Sequence, residues 1–233
     1  MFNTDPKTSS TSLTFFTHAS HRILYLGLEL SDTFKAKDAV HFPIIQIVPY
    51  PLDAHKIKEA FFLIPNYTHI VFTSKTSVRL FFEALTFYQF NTEEQLHQKT
   101  FITVGKSTAQ ALQQYGIKAD VIARTETAEG IIEELAQIEC SKAYFFWPHS
   151  AHSRPIITDF FKENRINYHD CQLYETHPIM PSEDLPDLSQ FDEIVFTSPS
   201  TVDAFIALFG ELPTDKRLTA IGPVTQKHMN SLK

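Results

Sequence analysis

The sequence writes one strand-to-helix junction twice. Phe72-Thr-Ser-Lys-Thr-Ser-Val78 returns as Phe196-Thr-Ser-Pro-Ser-Thr-Val202, 124 residues later. The match extends in both directions. His69-Ile-Val-Phe72 and Glu193-Ile-Val-Phe196 precede the junctions as short β-branched and aromatic runs, the composition of strands. After the junctions, Val78, Phe81, Phe82 and Leu85 recur as Val202, Phe205, Ile206 and Phe209 at the same offset. The spacing i, i+3, i+4, i+7 is one buried helix face.

Two further echoes extend the repeat. Ile102-Thr-Val-Gly105-Lys-Ser-Thr108 resembles Thr219-Ala-Ile-Gly222-Pro-Val-Thr225, displaced by 117 residues. Ile23-Leu-Tyr-Leu26 resembles Tyr144-Phe-Phe-Trp147 more weakly. Each member of that pair is followed by a second strand, over Phe42–Val48 and Tyr168–Leu173. The first helix of copy one is squeezed into about residues 31–39, and its partner spans about 155–164. The chain therefore reads as two copies of β-α-β-β-α-β-α. Strands alternating with helices predict parallel sheets covered on both faces.

Copy one continues where copy two does not. Gly116 is placed to close a helix, followed by a strand over Ala119–Ala123 and a helix from Thr127 through Ala136. By its own repeat, the second copy lacks that last strand and helix before Lys233. Proline breaks at Pro49-Tyr-Pro51 and from His177-Pro178 to Pro181 fall at matching places, each after a second strand. If the chain changes sheet at both, the middle is an inserted domain. Two domains in series fit the pattern equally well.

Composition narrows the function. The 233 residues exceed one typical domain of roughly 150. A hydrophobic share of 43%, with 21 Phe, is enough for sizeable cores. The net charge of −7 lacks the basic footprint of a nucleic-acid binder, though a locally positive cleft for a small anion remains open. Six glycines form no dinucleotide-binding or P-loop fingerprint. No apolar run reaches 18 residues, so no membrane span is expected. Residues 1–21 have neither a basic start nor an apolar core, and read as a loose tail rather than a signal peptide. Cys140 and Cys171 are too few for a disulfide framework, which fits a reducing cytoplasm.

In an open parallel sheet, ligands bind past the C-terminal ends of the strands, at helix starts that carry unpaired N–H groups and partial positive charge. Four such turns are found: Thr73–Thr76, Gly105–Thr108, Thr197–Ser200 and Gly222–Thr225. Their hydroxyls are either plain helix caps or, acting together, a grip for carboxylates or phosphates. Lys75, Arg79 and Lys106 add cations beside two of them, unless they are simply solvated. Arg154 follows the Tyr144–Trp147 strand, where it reaches an anion or starts an exposed helix. His149 and His152 have no third ligand nearby, so no metal site is expected. Tyr174 ends a strand just before a proline break, as a cleft residue or a half-buried edge tyrosine.

Taken in order, Phe72-Thr-Ser74, Val104-Gly-Lys-Ser-Thr108, Leu173-Tyr-Glu175, Phe196-Thr-Ser-Pro-Ser200 and Ala220-Ile-Gly-Pro-Val-Thr225 resemble uroporphyrinogen-III synthase. The resemblance runs from about Arg22 to the end. It implies an α/β fold of two flavodoxin-like parallel-sheet domains, related by internal duplication and joined by a two-stranded linker. Residues 1–48 plus 179–233 would form a discontinuous, C-terminally short domain. Residues 52–175 would form an inserted one, with linkers at about 49–51 and 176–178. The implied reaction is closure of hydroxymethylbilane to uroporphyrinogen III, with loss of water and inversion of the last ring. No metal or organic cofactor takes part. Tyr174 matches the tyrosine that helps the hydroxyl leave. Ser74, Lys75, Lys106, Thr108, Arg154, Ser198, Ser200 and Thr225 match substrate-facing positions. A cytoplasmic monomer is implied, with the bilane-forming enzyme as a candidate partner and neither nucleic acid nor membrane. His149-Ser-Ala-His152 stands where the family has a glycine-rich loop. With the short second copy, it leaves room for a weakly active or inactive relative that binds a tetrapyrrole or another small anion.

Overall fold

A computed structural model of the chain describes residues 21–179 and 185–232. The expected tail, apart from His21, and Pro181 of the second proline break lie outside the described residues. In chain order the elements are β1 (Ile23–Tyr25), α1 (Asp32–Lys35), β2 (Val40–His41), β3 (Ile45–Pro49), α2 (His55–Phe62), β4 (His69–Phe72), α3 (Lys75–Phe87), α4 (Thr92–Leu96), β5 (Thr100–Thr103), α5 (Lys106–Gln113), β6 (Val121–Ile122), α6 (Ala128–Leu135), β7 (Tyr144–Ser150), α7 (Ile156–Glu163), β8 (Asn167–Pro178), β9 (Glu193–Phe196), α8 (Pro199–Phe209), β10 (Arg217–Ala220) and α9 (Pro223–Ser231).

The strands form two sheets. One has the order β10-β9-β1-β2 and is parallel throughout. The other has the order β3-β8-β7-β4-β5-β6; β3 runs antiparallel to β8, and the rest is parallel. Both sheets are apolar on both faces, as the strand sequences require. In β4, Ile70 and Phe72 point into the core under α2, α3 and α5, while Val71 points into the core under α6 and α7. In β9, Ile194 and Phe196 meet α8 and α9, and Val195 meets the α1 side. Side chains alternate faces along a strand, so a short run of apolar residues fills two layers at once. Aromatic rings dominate the larger core: Tyr67 stacks on Phe146 at 4.8 Å between centroids, and Phe61 meets Phe146 edge-on at 5.7 Å.

Several boundaries differ from the sequence expectation. Of the strand expected over Phe42–Val48 only the part from Ile45 is extended in a sheet, running to Pro49, and a separate short strand, Val40–His41, precedes the range. Val40–His41 pairs with β1, and Ile45–Pro49 pairs with β8 in the other sheet. The chain changes sheet at Phe42-Pro43-Ile44, where Pro43 has no N–H to give a ladder. The strand expected over Tyr168–Leu173 runs on to Pro178. Its first part is parallel to β7 and its last part, from Tyr174, is antiparallel to β3. A single helical turn, Asp32–Lys35, occupies the region expected as the first helix. Gly116 takes φ +77° just after α5, the left-handed conformation of a helix stop.

Candidate active site

Because the strands of each sheet other than β3 run parallel, their C-terminal ends share an edge, and every strand-to-helix turn of the repeat opens there. Ser74 and Ser198 occupy the same place in their junctions and behave alike as caps. Ser74 Oγ accepts the Ser77 backbone N–H at 3.0 Å, and Ser198 Oγ accepts that of Thr201 at 3.3 Å. Such a cap contributes about 1 kcal/mol to its helix. The other two turns begin with Gly105 and Gly222, which have no side chain to cap with. At Gly105 a distant residue supplies the missing acceptor: Glu126 Oε1 takes the Lys106 N–H at 3.0 Å. At Gly222, a hypothetical Cβ would meet nothing within 4 Å, so this helix start is open.

Tyr174 lies at the same edge, opposite Ser150 at the end of β7. Its side chain is 5% exposed, and its hydroxyl sits 2.9 Å from Ser74 Oγ. Burial pushes the phenol pKa up. Hydrogen bonds from Ser74 and Thr76 and the nearby Arg79 charge pull it back in part. The arrangement holds one O–H in its neutral, donating form at a helix start, where developing negative charge is favoured.

Three of the four cations named from the sequence are met by the chain's own carboxylates. Lys75 Nζ contacts Glu29 Oε2 at 2.9 Å. This pair joins the start of α3 in one sheet's edge to the loop after β1 in the other's. The Lys75 hydrogen bond holds the Glu29 carboxyl below its usual range. Arg154 grips Glu129 through two bonds, of 2.7 and 2.9 Å. That grip lowers the Glu129 pKa to about 2. Arg79 pairs with Glu83 one turn along α3, at 2.6 Å. Lys106 is exposed at the start of α5, and Ser200 is half-buried in the first turn of α8.

Two expected hydroxyls are placed differently. Thr108 is 2% exposed and Thr225 3%, so neither presents its side chain at the edge. Both are the third residue of their helix, as are Ser77 and Thr201, which are fully buried. The third position of the first turn faces back toward the sheet, whereas the cap faces outward. His149 is also inward: it stacks on Trp147 at 3.9 Å and reaches Asp170 at 3.4 Å.

Glu29, Glu126 and Glu129 are absent from the residues that the sequence singles out. Nothing in the sequence marks Glu29 or Glu129 as the partner of a cation 46 or 25 positions away, or Glu126 as the acceptor for a backbone N–H 20 positions away. A hollow of about 220 Å³ lined by Leu135, Ile138, Cys140, Phe160 and Arg165 lies between α6 and α7, at the end of the sheet away from these turns.

A family model described as "Uroporphyrinogen-III synthase HemD" matches residues 35–233. The porphyrin biosynthesis protein HemD of Ruminiclostridium josui is 29% identical over 196 residues, 79% of this chain and 37% of that protein. The chain thus spans little more than a third of that relative's length. The putative uroporphyrinogen-III synthase of Methanocaldococcus jannaschii is 27% identical over 173 residues, 70% of this chain and 69% of that one. Among solved structures, a mutant uroporphyrinogen III synthase of Thermus thermophilus superposes with a TM-score of 0.62 at 16% identity, covering 91% of this chain and 89% of its own. The enzyme of Helicobacter pylori 26695 gives 0.59 at 17% identity, covering 91% and 88%. At these identities the structures show a shared mixed α/β fold with parallel sheets. The family match over most of the residues carries the assignment: the chain belongs to the uroporphyrinogen-III synthase family.

Proposed function

We propose that this chain is a uroporphyrinogen-III synthase, a cyclising lyase of haem biosynthesis. It takes the linear tetrapyrrole hydroxymethylbilane, removes water from its hydroxymethyl end and closes it to uroporphyrinogen III with the last ring inverted. The observation that carries the reading is the buried Tyr174 phenol, 2.9 Å from the cap of α3 at the edge where the parallel strands end. Tyr174 donates its proton to the departing hydroxyl, as general acid catalysis requires. The electron pair of the C–O bond leaves as water, and the substrate is left as a cation.

The substrate carries eight carboxylates. We assign their grip to Lys75 at α3, Lys106 at α5, Arg154 after β7, and Ser198 and Ser200 at α8, with backbone N–H groups supplying the remainder. Thr108 and Thr225 support these turns from beneath. Glu29 and Glu129 hold the Lys75 and Arg154 side chains, and Glu126 the Lys106 backbone N–H, while the site is empty, so binding exchanges one carboxylate for another. The chemistry then depends on holding a flexible cation in the closing shape, which is proximity control. A tetrapyrrole far exceeds the hollow beside α6, so the reading places it along the open edge instead.

We read the molecule as two flavodoxin-like domains joined by the β3–β8 ladder. The repeat pairs β4 with β9, β5 with β10, and β7 with β1. Under that pairing both sheets share one strand order, which matches the flavodoxin pattern 2-1-3-4, extended to a fifth strand by β6. The domains would be about 1–48 plus 179–233 and 52–175, with the sheet change at Phe42–Ile44 refining the first boundary. A cytoplasmic monomer that receives its reactive substrate from the bilane-forming enzyme completes the proposal.

The test is the product. Enzymatically generated hydroxymethylbilane is supplied, the porphyrinogens are oxidised and the isomers are separated. Isomer III is expected. Isomer I alone, at the rate of the buffer control, overturns the reading.

A further inference from the structure

The two copies of the junction cap their helices alike but complete their bonding differently. In the second copy the box is closed. Thr201 Oγ1 accepts the Thr197 and Ser198 N–H groups at 3.1 and 3.2 Å and donates to the Ser198 carbonyl at 2.7 Å. In the first copy the equivalent residue is Ser77, whose hydroxyl donates to the Ser74 carbonyl at 2.8 Å. Ser74 Oγ lies 3.1 Å from Ser77 Oγ and 2.9 Å from the Tyr174 hydroxyl. At this junction the first copy thus leaves the box open, and its cap, Ser74, faces a buried phenol instead.

A hydroxyl has one proton and two lone pairs. Ser74 Oγ already accepts the Ser77 N–H. Its proton therefore has two targets, Ser77 Oγ or the Tyr174 oxygen. With the proton on Ser77, Tyr174 donates to Ser74 and offers a ligand nothing. With the proton turned toward Tyr174, the phenolic O–H is free to point outward.

We propose that Ser74 is a positioning residue that aims the Tyr174 proton, rather than a ligand for the substrate. The inference rests on the reading of Tyr174 as proton donor. As Tyr174 gives its proton to the leaving oxygen and the C–O bond breaks, Ser74 O–H donates to the phenolate that remains. The start of α3 and Arg79 favour the same negative charge. The phenolate regains a proton when the closing pyrrole carbon loses its hydrogen, so the cycle balances with one water released.

The experiment compares steady-state turnover of hydroxymethylbilane by the full chain and its variants. Tyr174→Phe should lower kcat by about tenfold or more, as loss of a general acid does. Ser74→Ala should lower kcat by roughly tenfold with KM held within about twofold, the pattern of an interaction made in the transition state. Ser74→Thr, which keeps the hydroxyl, should restore kcat to within about threefold of the parent. In the Tyr174→Phe background, Ser74→Ala should add less than about twofold, because the two act as one unit. Asn91→Ala removes a cap of similar worth from α4 and should leave kcat unchanged.

A rise in KM with kcat preserved in Ser74→Ala would make Ser74 a substrate ligand and overturn the proposal. So would a full additive loss on top of Tyr174→Phe, or a parallel fall in kcat in Asn91→Ala. Unchanged turnover in Tyr174→Phe instead removes the proton-donor role itself.

Discussion

At the residue scale, the carboxylates that face the cations make the clearest statement about pH. Glu129 titrates at about 2 in the fold, chiefly through its bonds to Arg154, against an ordinary value of 4.5. A depressed carboxylate contributes stability above its unfolded pKa and loses it as pH falls toward the folded value. The contribution is therefore complete above about pH 4.5 and fades between 4.5 and about 2. Both side chains are roughly half exposed, so solvent screening limits the pair to about 1 kcal/mol or less. Urea unfolding should show Glu129→Gln weaker than the parent by that amount at pH 6, with the gap closing below pH 3. An equal gap at both values would assign the loss to packing. The helix caps Ser74 and Ser198 were legible because caps have local chemistry, whereas Tyr174, expected at a strand end, lies within β8, which runs on to Pro178. The inward turn of Thr108 and Thr225 was not, since it depends on where the first helical turn faces. The acidic partners were not legible either, because only the fold brings these residues, distant in sequence, near the groups they bind.

At the element scale, glycine separates helix propensity from packing. Gly130 lies in the first turn of α6, where replacement by alanine ordinarily gains about 1 kcal/mol. Here a Cβ would stand 2.0 Å from the Thr125 carbonyl oxygen, which is backbone and cannot step aside. The sign should reverse: Gly130→Ala is expected to lose about 1–3 kcal/mol in thermal or urea unfolding. A stabilised variant would mean the Thr125–Thr127 turn gives way freely. Gly105 is a softer case, since its Cβ would meet only the Glu126 side chain, at 2.5 Å. The main helices were readable from their apolar spacing. The helix α2 carries the same signal in Ile57, Ala60, Phe61 and Ile64, although no element was expected there. The strands were less readable. The last part of β8, Tyr174-Glu-Thr-His-Pro178, is polar and supports no strand assignment alone. It is extended because β3 pairs with it, and Tyr50 donates to Glu175 across the two.

At the scale of the whole molecule, the sheets share material from both copies of the repeat. The β10-β9-β1-β2 sheet takes two strands from each, as do the four central strands of the other sheet. A ligand lying across the common edge would bind the folded chain alone and raise its stability. Uroporphyrin III, the stable oxidised form of the proposed product, should stabilise the fold by about 2.7 kcal/mol at a hundredfold excess over Kd, seen as a concentration-dependent rise in melting temperature. No shift at saturating concentration would count against a site built from both sheets.

The exchange of strands also sets a timetable. β3 through β8 run without interruption from Ile45 to Pro178, so that sheet can assemble as soon as its own stretch of chain exists. Ile23 must wait for Glu193, its partner in the other sheet. On a ribosome adding roughly 5–20 residues per second, the wait is on the order of ten to thirty seconds. Throughout it, Leu24, Tyr25 and Leu26 have no native neighbours in β9. For most of that wait the nascent chain carries a partnerless apolar strand, and for about the last few seconds, between Pro178 and Glu193, that strand trails from a completed sheet, which is when chaperones or aggregation would find it.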